Sequence, residues 1–178
     1  MSTNILITSS GNINGKRLLK SAYENSQIKN LKIYGKNIKK TNNKNIFLVP
    51  LIKSKSYLKK ITKIITENEI TLIIPGSDEE AIFFSKIKKK IKKLNCTVCS
   101  IDYDILKNFS NKKRTYQILN KNKIRSALWF ESKNNFELDK HIKILKNKKK
   151  EIVIKPVYSR GGRNVAVIRK NLKKIIRK

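Results

Sequence analysis

The sequence predicts an α/β fold in which a parallel sheet is covered by helices on both faces, followed by a shorter α+β unit. Short apolar runs alternate with amphipathic stretches between residues 4 and 101, a pattern typical of strand–helix–strand units with parallel strands. One run, Thr71–Pro75, is apolar without interruption, as expected for a strand covered on both faces. With 178 residues, of which 39% are hydrophobic, the chain can form one full domain and part of a second.

The first domain is expected to span residues 1–108. Its five predicted strands are Asn4–Thr8, Leu31–Gly35, Ile46–Pro50, Thr71–Pro75 and Cys96–Ile101. Its three predicted helices are Asn14–Asn25, Ser56–Asn68 and Glu79–Leu94. The second helix is the clearest, because its apolar residues recur every three or four positions with lysines between them. This order predicts a parallel, doubly wound sheet.

A boundary is predicted near Asp104–Ser110, and the second unit is expected to span residues 109–178. Ser110 is a suitable N-cap for a helix over residues 111–122 that packs through Thr115, Ile118 and Leu119. The later elements are predicted at Ala127–Phe130 (strand), Asn135–Lys146 (helix), Ile152–Val157 and Val165–Ile168 (strands), and Asn171–Lys178 (the start of a helix).

Two turns follow strands of the first domain at the carboxyl edge, where ligands usually bind to a parallel sheet. Ser10 and Gly11 follow the first strand, and Ser77, Asp78 and Glu79 follow the fourth. These five residues are candidate substrate contacts. The acidic turn has a second explanation, since Ser77 or Asp78 can cap the next helix and Glu79 and Glu80 can complement its positive end. Neither turn has the G-x-G-x-x-G spacing of a dinucleotide site.

A candidate phosphate site lies near the end of the chain, where Lys155 at the end of a strand that is expected to be buried is followed by a basic, glycine-containing loop at residues 159–165. Glycine allows backbone amides to approach phosphate oxygens closely, and cations offset the phosphate charge. The candidate residues in the loop are Ser159, Arg160, Gly161, Gly162 and Arg163. The alternative is a simple hairpin turn on a lysine-rich surface.

The net charge of +31 would favour weak, salt-sensitive binding to nucleic acid. We do not expect nucleic acid to be the partner, however. Of 43 basic residues 36 are Lys and 7 are Arg, and this bias, together with abundant Asn and Ile, is typical of an A/T-rich genome. The lysines are also spread along the whole chain. An RNA- or DNA-binding protein is therefore the least favoured alternative.

Cys96 and Cys99 form a C-x-x-C pair, but both fall in a predicted strand, where residues three apart point to opposite faces. We expect two buried strand cysteines, neither redox-active nor bound to zinc, because the single histidine cannot complete a zinc site. No metal ligands are predicted. The sequence shows no secretory pattern and no membrane span, so we expect a cytoplasmic location.

The order of these motifs resembles the ATP-grasp ligases, specifically the group related to the carbamoyl-phosphate synthase large subunit, whose members begin with a Rossmann-like pre-ATP-grasp domain. The matching segments are residues 4–11, 72–80, 111–119 and 152–156, followed by the glycine loop. The resemblance implies an enzyme that uses ATP to activate a small carboxylate as an acyl phosphate for attack by an amine. It also implies that Lys112, Lys155 and the 159–165 loop contact the ATP phosphates.

The sequence departs from this family at several points. Asn111 stands where Asp is common, and Asn164 stands where Gly is common, although Asn tolerates left-handed backbone angles. The family's Mg²⁺ ligands and catalytic arginine correspond to positions beyond residue 178. We therefore expect an incomplete ATP-grasp subdomain that binds ATP but is inactive without a C-terminal half or partner subunit. The alternative is a non-catalytic Rossmann-like module that binds a small ligand or a partner subunit.

Overall fold

The computed structural model describes residues 3–24, 31–37, 43, 45–148, 151–159 and 163–169. The chain forms two compact units, residues 1–106 and residues 107–178. No helix in the described ranges is long and apolar enough to cross a membrane.

The first unit contains a five-stranded sheet in the order β3-β2-β1-β4-β5, with every neighbouring pair parallel. The strands are β1 (Thr3–Ile7), β2 (Leu31–Asn37), β3 (Ile46–Leu48), β4 (Leu72–Ile74) and β5 (Thr97–Val98). The helices are α1 (Ile13–Glu24), α2 (Tyr57–Glu67), α3 (Asp78–Lys86) and α4 (Lys88–Lys92). The predicted α/β fold class is confirmed.

Helices cover both faces of this sheet because successive strand residues point to opposite sides. On one face, Leu6 and Ile73 pack with Ile61 of α2 and Phe84 of α3. On the other face, Ile7 and Ile33 pack with Leu19 of α1. Burial of such side chains contributes roughly 1.5–3 kcal/mol each, so the two hydrophobic clusters fix the register of the strands and the position of their carboxyl ends.

Two features of the first unit differ from the sequence prediction. The helix expected over residues 79–94 is divided at Ile87, which has non-helical backbone angles (φ −104°, ψ 13°). The division between the two units falls at residues 106 and 107, within the predicted boundary region 104–110, which is occupied by a helix that was not predicted, α5 (Tyr103–Phe109). Its Asp104 lies in the first turn and its Lys107 in the last, where each charge complements the helix dipole.

The second unit contains α6 (Lys112–Lys121), α7 (Asn135–Lys148) and an antiparallel pair formed by β6 (Glu151–Ile154) and β7 (Ala166–Arg169). The predicted strand at Ala127–Phe130 is wrong, because no ladder forms there among the described residues. Trp129 instead stacks on Tyr116 of α6, with ring centroids 5.4 Å apart. Packing against a helix thus holds this extended segment without strand pairing. The predicted helix at Asn171–Lys178 lies outside the described residues.

Candidate functional site

The two predicted ligand turns of the first unit meet at the carboxyl edge of the sheet. Ser9 Oγ lies 3.2 Å from Ser77 Oγ, and Gly76 N donates to Thr8 Oγ1 over 3.1 Å. A Cβ at Gly76 would lie 2.1 Å from the Thr8 carbonyl oxygen, so only glycine permits this approach. The pairing of β1 with β4 therefore brings the two turns together.

The five candidate substrate residues differ in accessibility. Ser10 is buried, and its hydroxyl donates to the Lys36 carbonyl over 2.9 Å. Gly11 is exposed beside the Asn37 side chain. Ser77 is the N-cap of α3 and accepts from Glu80 N over 3.4 Å. Asp78 is exposed and Glu79 is half-buried in the first turn of α3. Their predicted role as substrate contacts stays a prediction.

A buried ion pair between Lys36 and Glu80 lies beneath these turns. Lys36 Nζ bonds Glu80 Oε1, and both residues are only 3% exposed. Tyr57 OH donates to the same carboxylate over 2.8 Å, and Ser9 Oγ donates to its other oxygen, Oε2. The pair therefore connects the end of β2, the start of α2, the start of α3 and the turn after β1.

This environment lowers the pKa of Glu80 and raises the pKa of Tyr57. Burial by itself would raise the pKa of Glu80, but the Lys36 ammonium, its hydrogen bond, and those from Ser9 and Thr8 outweigh burial and hold the pKa below its usual range. Burial, followed by the charge of Glu80 and its hydrogen bond, raises the pKa of Tyr57. At neutral pH the site therefore contains an ionised carboxylate and a neutral phenol.

The sequence interpretation assigned Glu80 only to the positive end of α3, and that assignment is incomplete. Its backbone N–H does bond to the Ser77 cap, but its side chain turns inward to Lys36. Lys36 was missed altogether because β2 was expected to end at Gly35, whereas it continues to Asn37. One signal could have indicated it: Lys36 follows an apolar strand at the same sheet edge as the two turns.

In the second unit, the start of α6 holds the segment before the glycine loop. Asn111 is the N-cap, because its side-chain oxygen accepts from Arg114 N over 3.0 Å. The expectation that Ser110 is the cap is wrong: its hydroxyl bonds back to the Lys107 carbonyl. The Asn111 amide also donates to Tyr158 OH over 2.8 Å. This second bond uses an N–H that the family's usual aspartate would lack.

Lys112 contacts the loop segment directly. Its backbone N–H donates to the Val157 carbonyl over 3.1 Å. Its ammonium donates to the Ser159 carbonyl over 2.8 Å and to Ser159 Oγ over 2.9 Å. These residues are 47 apart in sequence, and they lie within one compact unit. The structure thus brings two of the predicted phosphate contacts together.

Lys155 contacts the side chain of Tyr116 in α6. Its ammonium is 3.1 Å from Tyr116 OH and 5.1 Å from the centroid of that ring, and the residue is exposed. The preceding strand was expected to be buried, but in β6 Ile152 is buried while Val153 is 55% exposed. A two-stranded antiparallel sheet can leave one face open to water, which accounts for this difference.

The glycine loop is described only in part. Arg163 is exposed, and Asn164 has φ 55°, so Asn does adopt the left-handed angles expected where the family has Gly. The candidates Arg160, Gly161 and Gly162 lie outside the described residues.

The cysteines and the acidic residues do not form a metal site in the described part of the chain, where no three His, Cys, Asp or Glu side chains converge. Cys96 is buried, and burial raises its pKa to about 11. Cys99 is exposed, which corrects the expectation that both are buried, although the two do differ in environment as strand alternation requires. Among the described residues, no cluster of three or more such side chains is available to hold Mg²⁺.

Comparison with known families identifies the first unit. The family model for the PylC-like N-terminal domain matches residues 5–99, which include residues 5–7 of β1 and the other four strands of the sheet. The chain belongs to the PylC-like N-terminal domain family. No curated protein matches the chain.

A solved structure supports the fold of this PylC-like chain over a longer range. The biotin carboxylase domain of Hydrogenobacter thermophilus 2-oxoglutarate carboxylase, determined with MgADP, ADP and bicarbonate, aligns with a TM-score of 0.58 and 14% identity. The alignment covers 95% of this chain and 38% of that chain. At this identity the likeness establishes the α/β fold, and the chain spans well under half of the carboxylase structure.

Proposed function

We propose that the chain is the ATP-binding portion of an ATP-grasp ligase that joins a carboxylate to an amine through an acyl phosphate. The contact between Lys112 and Ser159 carries the proposal. The family resemblance assigns both residues to the same phosphates, and they do lie together. Membership of the PylC-like family and the likeness to a carboxylase that was determined with ADP support the same class.

The Lys112 ammonium is suited to a phosphate because it is held in place without being neutralised. An ammonium has three N–H donors, and here two bond to neutral oxygens of Ser159. Lys112 forms no ion pair with any described residue, so its positive charge is available to an anionic ligand. Phosphoryl transfer depends largely on positioning and charge stabilisation, which a fixed ammonium can provide.

The other candidate cations have complementary roles in this proposal. Lys155 and Arg163 are exposed, and together with Arg160, Gly161 and Gly162 they would surround the phosphates. ATP, when bound, supplies the phosphoryl group that activates the carboxylate. Residues Ser10, Gly11, Ser77, Asp78 and Glu79 of the first unit are proposed to contact that small carboxylate.

Turnover is proposed to need additional ligands for Mg²⁺, since no fitting set occurs among the described residues. A C-terminal segment or a partner subunit would supply them, in keeping with the share of the carboxylase structure that the chain spans. The narrower relation to the carbamoyl-phosphate synthase large subunit rests on the sequence motifs alone. We also propose a cytoplasmic location, where ATP is available.

Calorimetric titration of the full chain with ATP, with and without Mg²⁺, tests the proposal. Lys112→Met should weaken ATP binding about tenfold or more, because a charge-assisted contact contributes about 1.5–3 kcal/mol. Lys121→Met is the matched control: it removes one lysine from the exposed end of the same helix and should change affinity less than about twofold.

Equal losses in the two variants would show that ATP binds to the basic surface in general, and would overturn the assigned site. The absence of ATP binding by the unmodified chain would overturn the proposed function. Tight binding of another small anion, independent of Mg²⁺ and of Lys112, would favour the alternative of a non-catalytic binding module.

A further inference from the structure

The turn after β1 contains a residue in a conformation that its own sequence does not favour. Ser9 has φ 51°, a left-handed angle that is sparsely populated by residues other than Gly, Asn and Asp. Such a conformation persists where surrounding contacts hold it in place, and such residues often occur at ligand sites. The contacts of Ser9 and Ser10 therefore indicate what controls this turn.

Both serines are held by residues of the buried pair, Ser9 through the side chain of Glu80 and Ser10 through the backbone of Lys36. Ser9 Oγ donates to the Glu80 carboxylate, while the Lys36 carbonyl accepts from Ser10 N and from Ser10 Oγ, each over 2.9 Å. The Lys36 ammonium in turn binds Glu80. The turn, the lysine and the carboxylate thus form a closed ring of contacts.

Stability alone does not account for this arrangement. Removing two charges from water is costly, and apolar residues of similar volume often stabilise a core as well as or better than a buried pair. A carboxylate does provide directed acceptors at fixed positions, which an apolar side chain lacks. The tether between Ser9 and Glu80 depends on such an acceptor.

We propose that Lys36 and Glu80 are positioning residues that hold the Ser9–Ser10 turn in a single conformation at the carboxyl edge of the sheet. The role of that turn in binding a carboxylate substrate rests on the proposed function. The conformation itself does not, because every contact in the ring belongs to the ligand-free chain.

Hydrogen exchange of the ligand-free full chain, followed by mass spectrometry on peptides covering residues 8–12, tests the proposal. Ser9→Ala removes the tether and leaves the ion pair in place. We expect its turn amides to exchange about tenfold faster or more, since losing a bond to a charged group shifts a local opening equilibrium by at least that factor. Amides of α2 should exchange as in the parent chain.

A double variant, Lys36→Met with Glu80→Leu, separates positioning from packing. This variant removes both buried charges together, so the α2 amides should exchange much more slowly than in either single variant. The turn amides should still exchange rapidly, because the tether to Glu80 is absent. Glu67→Gln is the control, since its pair with Lys63 is exposed and 3.4 Å long; exchange in the turn should not change.

Parent-like exchange of the turn in Ser9→Ala would overturn the proposal, and so would restored protection of the turn in the double variant. Ser9→Ala keeps the test decisive if the double variant does not fold. A failure of ATP binding in the titration above would remove the proposed function and leave this result unaffected.

Discussion

Lys36 in the first unit and Lys112 in the second are the same residue type in opposite electrostatic situations. Lys36 is 3% exposed and bound to a carboxylate, whereas Lys112 is half-buried and bound to a serine carbonyl and hydroxyl. A lysine whose charge is neutralised by a buried carboxylate attracts an anionic ligand only weakly. A lysine held by neutral oxygens keeps its attraction for anions. The comparison gives Lys36 a role in the architecture of the first unit and supports the proposed role of Lys112 in binding an anion.

The largest expected effect is the loss of stability when one member of the buried Lys36–Glu80 pair is replaced. Lys36→Met or Glu80→Leu alone should lower the free energy of unfolding by about 3–5 kcal/mol, because each leaves an uncompensated buried group. The double variant should lose much less than the sum of the two. Urea unfolding followed by circular dichroism would measure this coupling.

The exposed pair Lys63–Glu67 on α2 provides the matched cycle, since its side chains are 62% and 58% exposed. Each of its substitutions should change the free energy of unfolding by less than about 1 kcal/mol. Similar costs at the two pairs would mean that Lys36 and Glu80 are not buried in solution, and the contrast with Lys112 would fail.

A smaller effect is expected from pH. The pKa of Glu80 is lowered from its usual value of 4.5, so the stability that the ionised form provides is present above that value. It is lost as the pH falls through the lower pKa of the folded state. Glu80→Gln should flatten this acid-range decline in the urea midpoint. An unchanged slope in that variant would show that other carboxylates control acid unfolding.

The smallest effect is expected at Lys112. Lys112→Met should lower the free energy of unfolding by only about 1 kcal/mol, because Lys112 is half-exposed, so that water can replace its two hydrogen bonds to Ser159, and methionine leaves no buried charge unpaired. The same urea unfolding experiment, with Lys121→Met as control, measures it. A loss near that of Lys36→Met would make Lys112 a structural lysine and remove the basis for its proposed phosphate contact.

The sequence predicted the first unit more successfully than the second. Strands such as Thr71–Pro75 and the helix around Ile61 and Ile64 have strong periodic signals, since burial of whole faces dictates where apolar residues occur. The segment Ala127–Phe130 has an equally apolar composition but no ladder among the described residues. Pairing depends on a partner strand, which local sequence does not specify.

In the candidate sites too, local backbone preferences could be predicted from the sequence, whereas contacts between distant residues could not. Asn164 was expected to tolerate left-handed angles, and its φ of 55° confirms this, because backbone preference is a property of the residue itself. The predicted N-cap was Ser110, but the structure has Asn111 as the cap. Tyr158 OH there accepts a hydrogen bond from the Asn111 amide. A contact 47 residues away decided between two residues that are both good caps.

The sequence by itself determined the α/β class, the strand order along the chain and the two turns at one edge of the sheet, because these follow from periodicity and local backbone preference. Only the tertiary structure decided that Glu80 faces Lys36 and that Lys112 faces Ser159. Both lysines have flexible side chains whose partners are set by which helices, strands and loops become neighbours in the fold. The fold therefore determines how strongly each lysine can attract an anionic ligand.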